Sequence, residues 1–258
     1  MVVGRKANAS NFLIMNVVWH RVRSRAVLGA VTVLVIAATV TGVMTGRATA
    51  EEKPAHRPLI IVPGLLGPRP GEVLPEVFPE FIARFKAAGW SDKDLILFRY
   101  DWTQPNERTA EQLAATIERV RPRTGNPEVD KVDIVAHSMG SLSSRYYLRF
   151  LGGTQRVKHW VSIGGVNHGT IVPCPGFAWA SCHDMTPHSP MVEALNEGDE
   201  TPGDVRYQTQ SSSCDELAVP HATVRLAGAE NRDVGCLEHI YLPRSATVFE
   251  VTRDFLLR

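Results

Sequence analysis

From about residue 59 onward, short apolar runs alternate with stretches of helical spacing. Leu59–Pro63 (LIIVP), Asp94–Tyr100 (DLILFRY), Lys131–Ala136 (KVDIVA) and Val157–Ile163 are brief and apolar, the pattern of strands buried on both faces. Between them, Glu76–Trp90 places Phe78, Phe81, Ile82 and Phe85 at helical spacing, and Arg108–Val120 sets Leu113, Ile117 and Val120 on one face. Met139–Leu151 reads as a third helix and Pro190–Asn196 as a short one. Val205–Ser211 and Thr223–Ala227 are predicted to be late strands, and Ser245–Leu257 a closing helix. Strands that alternate with helices predict an α/β chain: a mostly parallel central sheet with helices on both faces. No internal repeat or low-complexity tract interrupts the pattern.

The first 50 residues do not belong to it. They hold six basic residues (Arg5, Lys6, Arg21, Arg23, Arg25, Arg47) and no Asp or Glu. Residues 26–44 are uncharged and almost all apolar, and Ala48-Thr49-Ala50 follows. A basic region, an apolar region and small residues at a cleavage position predict an export signal over 1–50. Its rival is a membrane anchor, because 19 apolar residues nearly span a bilayer. Residues 51–58 read as a linker and 59–258 as one domain. Without the leader, 28 − 6 = 22 Lys and Arg face 27 Asp and Glu, a net charge of −5. A mildly acidic body argues against nucleic acid as a partner, and a hydrophobic content of 44% excludes disorder.

The candidate chemistry centres on Val135-Ala136-His137-Ser138-Met139-Gly140, where a strand run gives way to a helix. A serine presented at a sharp strand-to-helix turn needs small residues two positions before and after it, here Ala136 and Gly140. The usual first residue is Gly, so Ala136 is a small departure. The bland alternative is a serine capping the helix. A nucleophilic serine needs a base and an orienting acid, which in such a fold follow in the order acid, then histidine. His239 lies in a loop before the last helix and is the candidate base. His159 falls inside a predicted strand and His221 stands at the start of another, His168 comes too early, and His183 and His188 lie in a Pro-rich loop. Asp215, just past the strand 205–211, is the candidate acid. Asp233 is its main competitor, with Asp199, Asp204 and Glu216 behind. For an oxyanion, the N–H of Met139 and that of Leu65, in the Pro63-Gly64-Leu65-Leu66-Gly67 loop, are the candidate donors.

These pieces resemble the small bacterial lipases of the lipase class 2 type, of the Bacillus lipase A kind. The likeness runs from about Pro58 to the C-terminus. It rests on A-H-S-M-G at 136–140, PGLLG at 63–67, an S-S-x-x-D-like spacing at Ser211–Asp215, and E-H-I at 238–240. The resemblance implies a minimal α/β-hydrolase fold and carboxylic ester hydrolysis by Ser138, Asp215 and His239, with Leu65 and Met139 as oxyanion donors. Two features depart from it: Pro63 stands where these lipases usually have His, and the stretch 165–187 is longer.

Cys174, Cys182, Cys214 and Cys236 allow three pairings, or free thiols, and an exported chain favours bridges. Pairing in sequence order, 174 with 182 and 214 with 236, is favoured by place, since the second bridge would tie the loop of Asp215 to that of His239. His183, Asp184 and His188 match no metal motif, so neither metal nor cofactor is expected. The expected partner is a lipid or small-molecule ester, with transient contact to lipid surfaces, and the expected state is a monomer. The same serine chemistry would suit an acyltransferase or a polyester depolymerase. A non-catalytic binding or envelope protein on this fold is the rival of another class. Residues 171–188 are the lid candidate. Pro173, Pro175 and Pro187 argue against a long helix there and for a fixed apolar rim bearing Phe177 and Trp179.

Overall fold

The computed structural model describes residues 56–71, 77–175 and 178–258. The leader, residues 51–55 of the linker, Glu76 and Phe177 lie outside them. Six strands, β1 (Leu59–Val62), β2 (Leu95–Leu97), β3 (Val132–His137), β4 (Val157–Ile163), β5 (Arg206–Ser211) and β6 (Glu230–Asp233), form one sheet in the order β2-β1-β3-β4-β5-β6. Every pairing among them is parallel. The α/β expectation holds, and the sheet is wholly parallel over the described residues.

Side chains alternate across β1 and the strands beside it. Ile60, Val62, Ile134, Ala136 and Trp160 face one layer, packed with Leu113, Ile117, Leu142 and Leu148 from α2 (Asn106–Val120) and α3 (Gly140–Phe150). Leu59, Ile61, Val135, Val161 and Ile163 face the other, packed with Phe81 and Phe85 of α1 (Val77–Ala87) and with Val248, Phe249 and Phe255 of the closing helix (Ala246–Leu256). Two short helices, α4 (Ala180–Asp184) and α5 (Pro190–Asn196), precede β5, which makes the closing helix α6. Ser189 and Ser245 cap α5 and α6, each accepting from a backbone N–H three residues on.

One predicted strand is corrected. Thr223–Ala227 is not in the sheet; His221–Val224 form a 3₁₀ turn, and the last strand is β6, Glu230–Asp233. Val224 and Leu226 are apolar because they are buried in the core, and not because they lie in the sheet. Asn231 on β6 holds that loop, accepting from Leu226 N at 3.0 Å and donating to Leu226 O at 2.9 Å. The strand Asp94–Tyr100 is likewise shorter than expected, closing at Leu97.

The chain runs from β1 outward to β2, then returns to lay β3 on the other side of β1. The crevice outside the carboxyl ends of β1 and β3 is therefore the topological switch point, where open parallel sheets place their ligands.

Candidate active site

Ser138 sits at the carboxyl end of β3. Its N–H still bonds the Ile163 carbonyl of β4 at 3.0 Å, and its own carbonyl already accepts from Ser141 N at 3.1 Å in the first turn of α3. To turn so sharply it takes φ +56°, a left-handed conformation rare for a residue with a side chain. The close approach that demands small neighbours is visible. A Cβ on Gly140 would lie 2.5 Å from the Pro63 carbonyl oxygen and 2.6 Å from that of Val62. One on Gly64 would lie 2.5 Å from the Ser138 Cβ. The loop after β1 is thus pressed against Ser138, and Tyr100 holds it there, donating its hydroxyl to the Pro63 carbonyl at 2.6 Å. Tyr100 is buried, which raises its phenol well above the ordinary value, so it stays a donor.

His239 opens a 3₁₀ turn after β6, and Asp215 lies four residues past β5. The two are buried together: His239 Nδ1 donates to the carboxylate, 2.9 Å from Oδ1 and 2.8 Å from Oδ2. Oδ1 also accepts from Leu217 N at 2.9 Å and Ala218 N at 2.7 Å. Burial pushes the Asp215 carboxyl up, but the bond and charge of His239 and the two backbone donors outweigh it, leaving it below the usual value. With the Nδ1 proton engaged, Nε2 keeps a lone pair. That atom is buried and has no hydrogen-bond partner among the described residues, Ser138 Oγ included.

The other candidates are placed elsewhere. Asp233 ends β6, exposed, and accepts from Gly235 N. Asp199 turns on Thr201. Asp204 is exposed. Glu216 accepts the His239 backbone N–H at 3.0 Å. His159 is buried against Asp133, His168 pairs with Glu200, and His221 reaches the Asp215 carbonyl. Asp184 accepts from the Asn106 backbone and side chain, at 2.8 and 3.0 Å, and so caps α2. The cysteines pair in sequence order, 174 with 182 and 214 with 236. The second bridge joins the Asp215 loop to the His239 loop, as does Ser212, whose hydroxyl donates to Leu237 O at 2.6 Å and accepts from Leu237 N at 2.7 Å.

Ser138 and His239 open on one cavity of about 700 Å³. Leu65, Phe78, Val166, Val172, Met185 and the 174–182 bridge line it, and no Lys, Arg, Asp or Glu does so among the described residues. Leu66, Ile171, Leu217 and Ile240 line it while remaining exposed to solvent. Trp179 is not part of that rim: it packs edge-on against Trp102, ring centroids 4.8 Å apart. Residues 56–231 match the family Lipase (class 2). The chain belongs to that family. The match includes Ser138 and Asp215 but stops short of His239. Among solved structures it is similar to lipase B of Aspergillus fumigatus (TM-score 0.64, 17% identity, 79% of this chain and 53% of that one). It is also similar to the mature lipase BlEst2 of Bacillus licheniformis (0.63, 15%, 79% and 93%) and to the metagenomic carboxyl esterase MGS0156 (0.55, 15%, 79% and 76%). The chain thus spans about half the length of the Aspergillus protein. At these identities the likeness is one of fold.

Proposed function

We propose that the protein is a secreted serine hydrolase that cleaves carboxylic esters of lipids, acting as a monomer without cofactor. The observation that carries this reading is the buried Asp215–His239 pair, whose histidine shares with Ser138 one apolar cavity that no charged residue lines among the described ones. Ser138 Oγ attacks the ester carbonyl while His239 Nε2 takes its proton, and Asp215 holds the imidazolium that forms. The N–H groups of Leu65 and Met139 stabilise the tetrahedral oxyanion; the positive end of α3, which no side chain caps, adds to them. His239 returns the proton to the leaving alcohol, and water releases the acid through the same steps in reverse.

The apolar cavity favours an uncharged acyl chain, and its exposed apolar rim suits transient contact with a lipid surface. The two disulfides agree with export, and cleavage after Ala50 would give a mature chain starting at Glu51. A fluorophosphonate probe tests the mechanism: it should label Ser138 in the native protein and not in Ser138→Ala. A panel of esters, with and without acceptor alcohols, then separates hydrolysis from acyl transfer. Absence of both labelling and turnover would refute the proposal.

A further inference from the structure

His239 is held at three points. Asp215 accepts a hydrogen bond from its Nδ1, Glu216 accepts one from its backbone N–H, and its backbone carbonyl accepts one from His137 Nε2 at 3.1 Å. The third contact is the unusual one. His137 is the residue before Ser138 and the last of β3, so it belongs to the nucleophile's own strand. It reaches 102 positions along the chain to the base's main chain. A carbonyl only accepts, so Nε2 of His137 carries the hydrogen. The two imidazole rings also pack, centroids 4.7 Å apart and tilted by 35°, and Phe78 presents its ring to the His137 ring at 6.2 Å.

We propose that His137 is a positioning residue: it couples the loop of His239 to the turn that carries Ser138, and so sets the reach of His239 Nε2 to Ser138 Oγ. Ser138 is bonded directly to His137, so a shift of the turn shifts the donor, and with it the His239 carbonyl. β3 and the strand that leads into the His239 loop are not neighbours in the sheet, since β4 and β5 lie between β3 and β6, so this bond joins two segments that no strand pairing joins. Burial pushes the His137 imidazole down to about 3, and a charged His239 pushes it the same way. His137 therefore stays neutral, donating a hydrogen bond without setting a second cation beside the imidazolium. The inference rests on the proposed roles of Ser138 and His239.

The test separates the donor from the ring. His137→Phe keeps a ring but has no N–H, His137→Leu has neither and fills less space, and His137→Gln keeps a donor. Turnover of a soluble short-chain ester is measured for each, with thermal unfolding alongside. The Phe and Leu variants should lose about 10–100-fold in kcat, the scale of a misplacement near 1 Å, with KM within about twofold. His137→Gln should recover to within about threefold of the native enzyme at the same KM. If Gln falls as far as Phe and Leu, or if all three keep native kcat, the positioning role is wrong. A loss expressed mainly in KM also overturns it. Failure of the native protein to hydrolyse any ester or to take the fluorophosphonate refutes the functional reading itself, which distinguishes the two failures.

Discussion

Replacing Asp215 by Asn changes one oxygen to NH₂ and should nearly stop turnover, for a reason written in the loop around it. Asp215 Oδ1 accepts from Leu217 N and Ala218 N. Those donors remain in the variant, so the asparagine must put its carbonyl oxygen there. Its amide group then occupies the Oδ2 position, 2.8 Å from His239 Nδ1. An NH₂ there donates to Nδ1, which drives the imidazole hydrogen to Nε2, the atom that has to accept the Ser138 proton. Loss of the correct tautomer costs up to about 10⁴ in kcat in a serine protease, or about 5.4 kcal/mol of barrier. We expect a fall of about 10²–10⁴. KM should stay within about twofold, because Asp215 does not line the cavity. Two backbone bonds survive, so the loss of stability should not exceed that of one charge-assisted hydrogen bond, about 1.5–3 kcal/mol. The assay is kcat and KM on a soluble ester with thermal unfolding alongside, and Asp233→Asn is the control. Activity of Asp215→Asn within tenfold of native, or a larger loss in Asp233→Asn, would refute the reasoning.

Acid should destabilise the fold partly through Glu230. Burial raises its carboxyl, but Arg258, Arg232 and Gln208 outweigh that and hold it down to about 2. A depressed carboxyl contributes stability above its unfolded value and loses it as pH falls through the folded one. The melting temperature should therefore drop between pH 4.5 and 2, and less steeply in Glu230→Gln; equal slopes would remove Glu230 from the account. Converting Cys214 and Cys236 together to Ser should cost roughly 3 kcal/mol in the chain-entropy model, about 6–12 °C in melting temperature for a domain of this size. Activity should fall with it, because the bridge joins the loops of Asp215 and His239; calorimetry and turnover of the double variant check both. Rate against concentration of a short-chain ester should rise smoothly through its solubility limit, whereas an abrupt rise there would reveal a working lid.

The serine turn was legible because steric closeness constrains residue type. Gly64 and Gly140 are small for the same reason, each facing a backbone or side chain that a Cβ would strike. The meeting of Asp215 with His239 was legible from the place of Asp215 after a strand that alternates in the sequence and pairs in the sheet. β6 was not, because Glu-Asn-Arg-Asp is a polar edge strand, half exposed, and carries no apolar signature. The buried residues before it imitated a strand instead. His137 escaped notice because it fills the unconstrained position of the motif; its role depends on a carbonyl 102 positions away. Tyr100 ends an apolar run whose last residues leave the sheet, and only the sheet order brings its hydroxyl to Pro63.

The cavity wall argues for a site that stands open. Single exposed apolar side chains need no explanation, but four of the eight large ones among the described residues converge on the cavity of Ser138. A covering helix would bury them. The lid candidate, residues 171–188, is instead tied down on both sides. Thr170 N bonds Met185 O at 2.8 Å, and Gly169 runs so close to Pro187 that a Cβ would meet its nitrogen at 2.6 Å. Ser181 donates to Trp102 O, Asp184 caps α2, and the 174–182 bridge closes the middle. Swinging this wall aside would break all of those bonds except the disulfide, and would strip α2 of its cap. Among the described residues, the apolar rim therefore stays open to solvent. For the proposed ester hydrolysis, this arrangement predicts selectivity set by the fixed walls of the cavity, Leu65, Val172 and Met185 among them, and not by the opening of a gate.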